Sequence, residues 1–341
     1  MEKLGQRHES DDPSTRQQQH YNKSIESPKL HVSSQTNFST TIMPTASVNS
    51  ITLNYTVSDP PTGTTGLGTW LVLVNGLADD LQTWSANIPA FTSAGYRVLA
   101  YDNRGIGLSS RPDGPCTAEL LASDLHALLL HLDIEKFHLL GVSMGGMIAQ
   151  AYALKYPNGG SADGIANLEM LSLSLCCTYA APSVFCERMF GLWAEMAERM
   201  SVRDVMRDVT LWAFTVPFFR ERTGELGAVE EAMRDLDMSL ESYLAQLNVI
   251  QKFDSVGALR ELRDGGKGLG GIGEGRIMVL AGEEDILIPV VLSRELGEAV
   301  LGGVWRTTRG GHGCLVGWLL IRLRTSQLTN NLAVGISRRV Q

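Results

Sequence analysis

The sequence predicts an α/β protein, and three observations carry that prediction. Short strand-like apolar runs alternate with segments of helical spacing along most of the chain. Several of those runs are continuous rather than alternating, as in parallel strands buried on both faces. One of them leads through a glycine-flanked serine into a helix, in the segment Gly141-Val142-Ser143-Met144-Gly145-Gly146. With 341 residues and 44% hydrophobic content, the chain holds enough apolar material for one large core and an accessory subdomain.

Residues 1–46 are rich in Ser, Gln, His, Asp and Asn, lack a basic start followed by an apolar stretch, and read as a disordered extension without a secretory signal. Asn22-Lys23-Ser24 and Asn37-Phe38-Ser39 match glycosylation acceptors but carry little weight without such a signal. Ser50 to Val57 alternates like an edge strand, Trp70 to Val74 is a continuous apolar run suited to a central parallel strand, and Tyr96 to Tyr101 is another. Leu121, Leu125, Leu128, Leu129 and Leu132 mark a helix between Ala118 and Leu132. Phe137 to Leu140 is a short buried strand, and Met147 to Leu154 continues as a helix. After a further strand near Ile165 to Leu173, a Met-, Trp- and Phe-bearing helical region interrupts the alternation and reads as an inserted cap. Ile277 to Ala281 resumes the sheet, a helix near Val291 to Val300 follows, and Val304 to Thr308 forms the last strand. The expected organisation is therefore a core in two parts, 47–180 and 257–325, a helical cap at 181–256 and a tail at 326–341.

The net charge of −8 comes from scattered acids, and no Lys/Arg run is long enough to track phosphates, which argues against a nucleic-acid partner. No apolar run reaches the length of a membrane span, so no membrane is expected. The five cysteines are odd in number and lack zinc-type pairing, which points to a reduced, cytoplasmic setting rather than a disulfide framework or a metal site. Adjacent Cys176 and Cys177 read as small apolar residues at a strand end. Gly268-Leu269-Gly270-Gly271-Ile272-Gly273 fits G-x-G-x-x-G, but it follows no strand and opens no helix. It is expected to be a flexible loop, not a dinucleotide site.

Ser143 stands on the turn between a strand and a helix, and the glycines beside it let the two approach; that is the layout of a nucleophile elbow. A serine alone is a poor nucleophile, so the elbow calls for a histidine base and a carboxylate that orients it, in the chain order Ser, Asp or Glu, His. Of seven histidines only His312 follows the elbow, in a glycine turn directly after the last strand. Glu283, Glu284 and Asp285 follow the strand at Ile277, and Asp285, which opens the apolar Ile286 to Pro289 segment, is the best candidate acid. An alternative position one strand earlier, Leu171 to Cys177, offers no carboxylate. The backbone amides of Met144 and of Leu77, in the loop Asn75-Gly76-Leu77-Ala78, are the candidate oxyanion donors. Trp84, Trp193 and Trp212 are candidate pocket walls, and the methionines and aromatics of the cap suit both packing and an apolar ligand.

On these features the chain resembles the α/β-hydrolase superfamily over roughly Ser50 to Trp318. The elbow, the segment Asp102-Asn103-Arg104-Gly105-Ile106-Gly107-Leu108-Ser109, the acid turn Gly282 to Pro289 and the histidine turn Gly310-Gly311-His312 match in order. The elbow is similar to those of 3-oxoadipate enol-lactonases, cofactor-free perhydrolases and related capped esterases. The resemblance implies a mostly parallel sheet flanked by helices with an inserted cap, a structural role for Asp102 and Arg104, and a hydrolase without metal or other cofactor. Two departures stand out: Asn75 occupies a position where many members have histidine, and the segment from Trp318 onward is unusually polar. The expected activity is hydrolysis of a small-molecule ester or lactone with an apolar portion. The alternatives are carbon–carbon bond hydrolysis or perhydrolysis by the same residues, and a non-hydrolytic receptor or scaffold.

Overall fold

The computed structural model describes residues 44–64, 68–157, 168–234 and 236–317. Residues 1–43 of the expected extension 1–46, both glycosylation matches and the segment from Trp318 lie outside them, while Thr45 and Ala46 belong to a strand and not to a disordered extension.

Among the described residues one sheet of eight strands forms the centre: β1 Thr45–Val48, β2 Ile51–Ser58, β3 Trp70–Val74, β4 Arg97–Tyr101, β5 Lys136–Val142, β6 Glu169–Cys176, β7 Ile277–Gly282 and β8 Gly303–Thr308. Their spatial order is β1-β2-β4-β3-β5-β6-β7-β8. The pairs β1/β2 and β2/β4 are antiparallel, and every pair from β4/β3 onward is parallel. The continuous apolar runs have the expected place, since β3 lies between β4 and β5 and its Leu71 to Val74 are buried.

The 50–57 segment is not the edge strand its alternation suggests. β1 pairs outside it, from Thr45 opposite Asn54 to Val48 opposite Ile51, across a two-residue turn whose Asn49 and Ser50 both have positive φ. A turn with two left-handed residues matches the twist of an antiparallel pair. Without the usual Asn-Gly or Asp-Gly pair, it left little sequence signal.

The helices are α1 Ile88–Ser93, α2 Ala118–His131, α3 Met144–Lys155, α4 Val184–Arg199, α5 Val202–Ala213, α6 Val216–Glu221, α7 Thr223–Arg234, α8 Leu240–Lys252, α9 Val256–Asp264, α10 Val290–Ala299 and α11 Cys314–Gly317. α2 starts at Thr117, whose side chain accepts from the Leu120 amide, and it buries Leu121, Leu125, Leu128 and Leu129 on one side. Helices α4 to α9 are inserted between β6 and β7, and Ser183, Ser201 and Ser239 cap α4, α5 and α8 in the same way. The glycine-rich segment after α9 is anchored rather than flexible. It holds a short 3₁₀ turn at Leu269–Gly271, with Leu269 and Ile272 in the core, so apolar burial overrides the freedom its glycines suggest.

Helix α3 lies very close to the end of β3. A β-carbon on Gly145 would overlap the Val74 carbonyl oxygen and stand 2.7 Å from that of Asn75. Gly145→Ala is therefore expected to cost about 3 kcal/mol, the upper end of overpacking penalties. Gly191→Ala in α4, where nothing lies within 4 Å of the added methyl, is expected to gain about 1 kcal/mol from helix propensity. Urea unfolding midpoints compare the two, and equal midpoints would refute the contact.

Candidate active site

Ser143 occupies the turn between β5 and α3 with φ 57° and ψ −121°, a left-handed conformation that a serine adopts only under constraint. Its amide donates to the Cys176 carbonyl at 2.9 Å, and its own carbonyl accepts from Gly146 N at 2.9 Å. The turn is thus pinned to the end of β6 on one side and starts α3 on the other. The Met144 amide sits at the positive end of the helix. A β-carbon on Gly76 would lie 3.4 Å from Ser143 Cβ, so the loop after β3, carrying Leu77, borders the serine.

Asp285 and His312 are joined directly. Asp285 Oδ2 meets His312 Nδ1 at 2.9 Å, and Asp285 Oδ1 accepts from the Ile288 amide at 2.9 Å. Glu283 and Glu284 are exposed, but their amides donate to the carbonyls of Thr308 and Gly310 at 2.8 and 3.0 Å, lacing the acid turn to the histidine turn. Gly313 N donates to Ala213 O at 2.9 Å at the end of α5, and the Phe214 ring packs on Gly313, so the inserted helices also hold the histidine turn. Burial by itself would lower the His312 pKa. The Asp285 charge and hydrogen bond, aided by Cys177 and Asp79, instead raise it to about 9.

Ser143 and His312 reach the same end of the sheet without a hydrogen bond between their side chains among the described residues. They are linked through neighbours. Ser143 is bonded to Cys176, and the thiol of Cys177, the Asp285 carboxylate and a ring nitrogen of His312 lie within 4.8 Å of one another. That trio is close enough for one metal ion, but Asp285 already binds His312 and Ile288, and Cys177 Sγ contacts Cys314 Sγ at 3.5 Å.

The loop after β3 is braced from three directions. Asn75 accepts from the Trp84 indole and donates to Asp79 O at 3.1 Å, while Asn103 Nδ2 donates to Asn75 O at 3.4 Å. Asn75 is thus a structural linker. Ala78, with φ 57°, donates its amide to Gln246 Oε1 at 3.1 Å, and Gln246 Nε2 donates to Arg104 O at 2.9 Å. Gln246 is buried in α8, and no local pattern in the sequence announces that it reaches this loop. Asp102 accepts from Asn54 Nδ2, Leu81 N and Leu108 N at 2.7, 2.7 and 3.0 Å, and Arg104 pairs with Asp124, both away from the chemistry. Trp193 and Trp212 share one acceptor, donating to Asp208 Oδ2 at 3.0 and 3.1 Å. Among the described residues no hydrogen bond or ring contact ties either to Ser143 or His312.

A residue that sequence reasoning passed over is Asp79. Asp80 beside it is the N-cap of the 3₁₀ turn Leu81–Trp84, but the Asp79 carboxylate turns back toward Gly76. Burial and the charge of Asp80 raise Asp79 to about 7, against the opposing pull of His312 and Thr83.

Residues 69–168 match a family described as the alpha/beta hydrolase fold. The crystal structure of the enol-lactonase from Burkholderia xenovorans LB400 aligns with a TM-score of 0.65 at 26% identity, covering 86% of this chain and 99% of that one. This chain has the α/β-hydrolase fold. Among curated relatives, 3-oxoadipate enol-lactonase 2 of Acinetobacter baylyi is 40% identical over 87 residues, 26% of this chain and 32% of that protein. The 2-hydroxy-6-oxononadienedioate/2-hydroxy-6-oxononatrienedioate hydrolase of Paraburkholderia phymatum is 42% identical over 93 residues, 26% of this chain and 32% of that protein. The chain thus spans about a third of the length of these curated relatives.

The Asp285–His312 pair predicts an imidazole that titrates near pH 9 by NMR, falling toward the ordinary 6.5 in Asp285→Asn. Because the folded pKa is raised, the pair stabilises the fold fully below about pH 6.5 and loses that contribution as pH rises through about 9. A midpoint that does not respond to Asp285→Asn would contradict the pairing.

Proposed function

We propose that this protein is a serine hydrolase acting on a small-molecule carboxylic ester or lactone with an apolar portion. The observation that carries the reading is the 2.9 Å Asp285–His312 contact, formed at the same sheet end as the strained turn of Ser143. Once His312 is neutral, above its pKa of about 9, it donates Nδ1–H to Asp285 and keeps the Nε2 lone pair for the serine proton. Ser143 Oγ attacks the carbonyl carbon while His312 takes its proton, and the oxyanion is met by the Leu77 and Met144 amides. The carbon–oxygen bond then breaks, the leaving alkoxide takes the proton from His312, and water, deprotonated by the same imidazole, releases the acid. Hydrogen bonds of this kind are often long without substrate and close in the complex, so the unmade Ser143–His312 bond is compatible with this role.

An apolar portion is supported by Phe214, packed on Gly313 beside His312 and stacked on Phe218 with ring centroids 4.3 Å apart. A second reading, carbon–carbon bond hydrolysis with the same groups, draws on the similarity to the Paraburkholderia phymatum hydrolase.

A fluorophosphonate should label the wild-type protein at Ser143 and leave Ser143→Ala unmarked. On p-nitrophenyl esters of increasing acyl length, kcat/KM should rise beyond acetate. Ser143→Ala should lower kcat by about 10⁴-fold or more with an unchanged circular dichroism spectrum. Retained labelling or turnover in folded Ser143→Ala would overturn the proposal, and a preference for acetate alone would remove its apolar part.

A further inference from the structure

A carboxylate that the proposed chemistry does not use stands inside the site. A β-carbon on Gly76 would lie 3.0 Å from Asp79 Oδ2 and 3.4 Å from Ser143 Cβ, so the carboxylate and the serine flank one point. That point lies on the loop that carries Leu77, the proposed oxyanion donor next to Ser143. Asn75 Nδ2 holds the Asp79 carbonyl at 3.1 Å, which fixes the residue in the loop. His312, from the turn after β8, interacts electrostatically with the same carboxylate.

We infer that Asp79 is the specificity-determining residue of this site, its carboxylate beside Ser143 favouring acyl groups that are neutral or cationic near the scissile carbonyl and rejecting those that carry a carboxylate there. The inference rests on the ester or lactone hydrolase reading and narrows its substrate class. Two anions brought together with little water between them repel strongly, whereas a neutral acyl chain suffers no such repulsion. With a pKa near 7, Asp79 should discriminate weakly when protonated in mild acid and fully above neutrality. The titratable groups facing it are Asp80 on its own loop and His312 across the site, with Asp285 and the Cys177 thiol close to the imidazole.

Ethyl butyrate, monoethyl succinate and ethyl 4-aminobutyrate have acyl chains of similar size that differ in terminal charge. Their kcat/KM values, followed by acid release in a pH-stat, test the inference. A ratio of two substrates cancels the titration of His312, which both require in the same state. For wild type at pH 8.5 the butyrate-to-succinate ratio should be about a hundredfold, declining toward pH 6. In Asp79→Asn it should fall at least about tenfold and lose its pH dependence, and the preference for the aminobutyrate ester should weaken. If Asp79→Asn fails to fold, the wild-type ratio against pH still decides, because a flat ratio overturns the filter. Turnover with the same ratio in both proteins overturns the filter alone. Absence of turnover on all three esters, together with no Ser143 labelling, overturns the hydrolase reading beneath it.

Discussion

The approach of the first turn of α3 to the backbone of β3 is the constraint on which the rest depends. Only a residue without a side chain fits at Gly145, against the carbonyls of Val74 and Asn75. That contact holds helix and strand close enough to force Ser143 into its left-handed turn, and it sets the loop after β3 against the helix start. A serine, two segments of backbone amide and a positive helix end are brought together by packing, before any side-chain interaction is counted.

A second assembly meets the first across the sheet. The acid turn after β7 and the histidine turn after β8 come from adjacent parallel strands, so their loops emerge side by side at the carboxyl end. Two backbone hydrogen bonds and the Asp285–His312 contact tie them into one unit. The inserted helices secure both assemblies. Ala213 binds the histidine turn, and Gln246 holds Ala78 in a conformation that alanine does not favour on its own. The insertion is thereby part of the support of the site.

Electrostatics then differentiate three ionisable groups within this small volume. Asp285 is buried but met by an amide and an imidazole, His312 is held protonated to about pH 9 by that partner, and Asp79, with less compensation, is pushed up to about 7. Of the two acids near one imidazole, Asp285 binds the ring and Asp79 lies against Gly76.

The fold class, the order of most strands and helices and the turns that carry Ser143, Asp285 and His312 after β5, β7 and β8 could all be read along the chain, because each rests on a local signal. Continuous apolar runs mark buried parallel strands, glycines mark a close approach, and His312 is the one histidine downstream of the serine. The signals failed where burial or pairing was non-local: β1 covers the supposed edge strand, and the glycine-rich segment near 270 is anchored by Leu269 and Ile272. Asp79 and Gln246 belong to the same class. Nothing near them in the chain tells that one carboxylate turns back toward Gly76 or that one amide bridges Ala78 and Arg104. Such roles depend on distances between residues far apart in sequence, and only tertiary packing sets those distances.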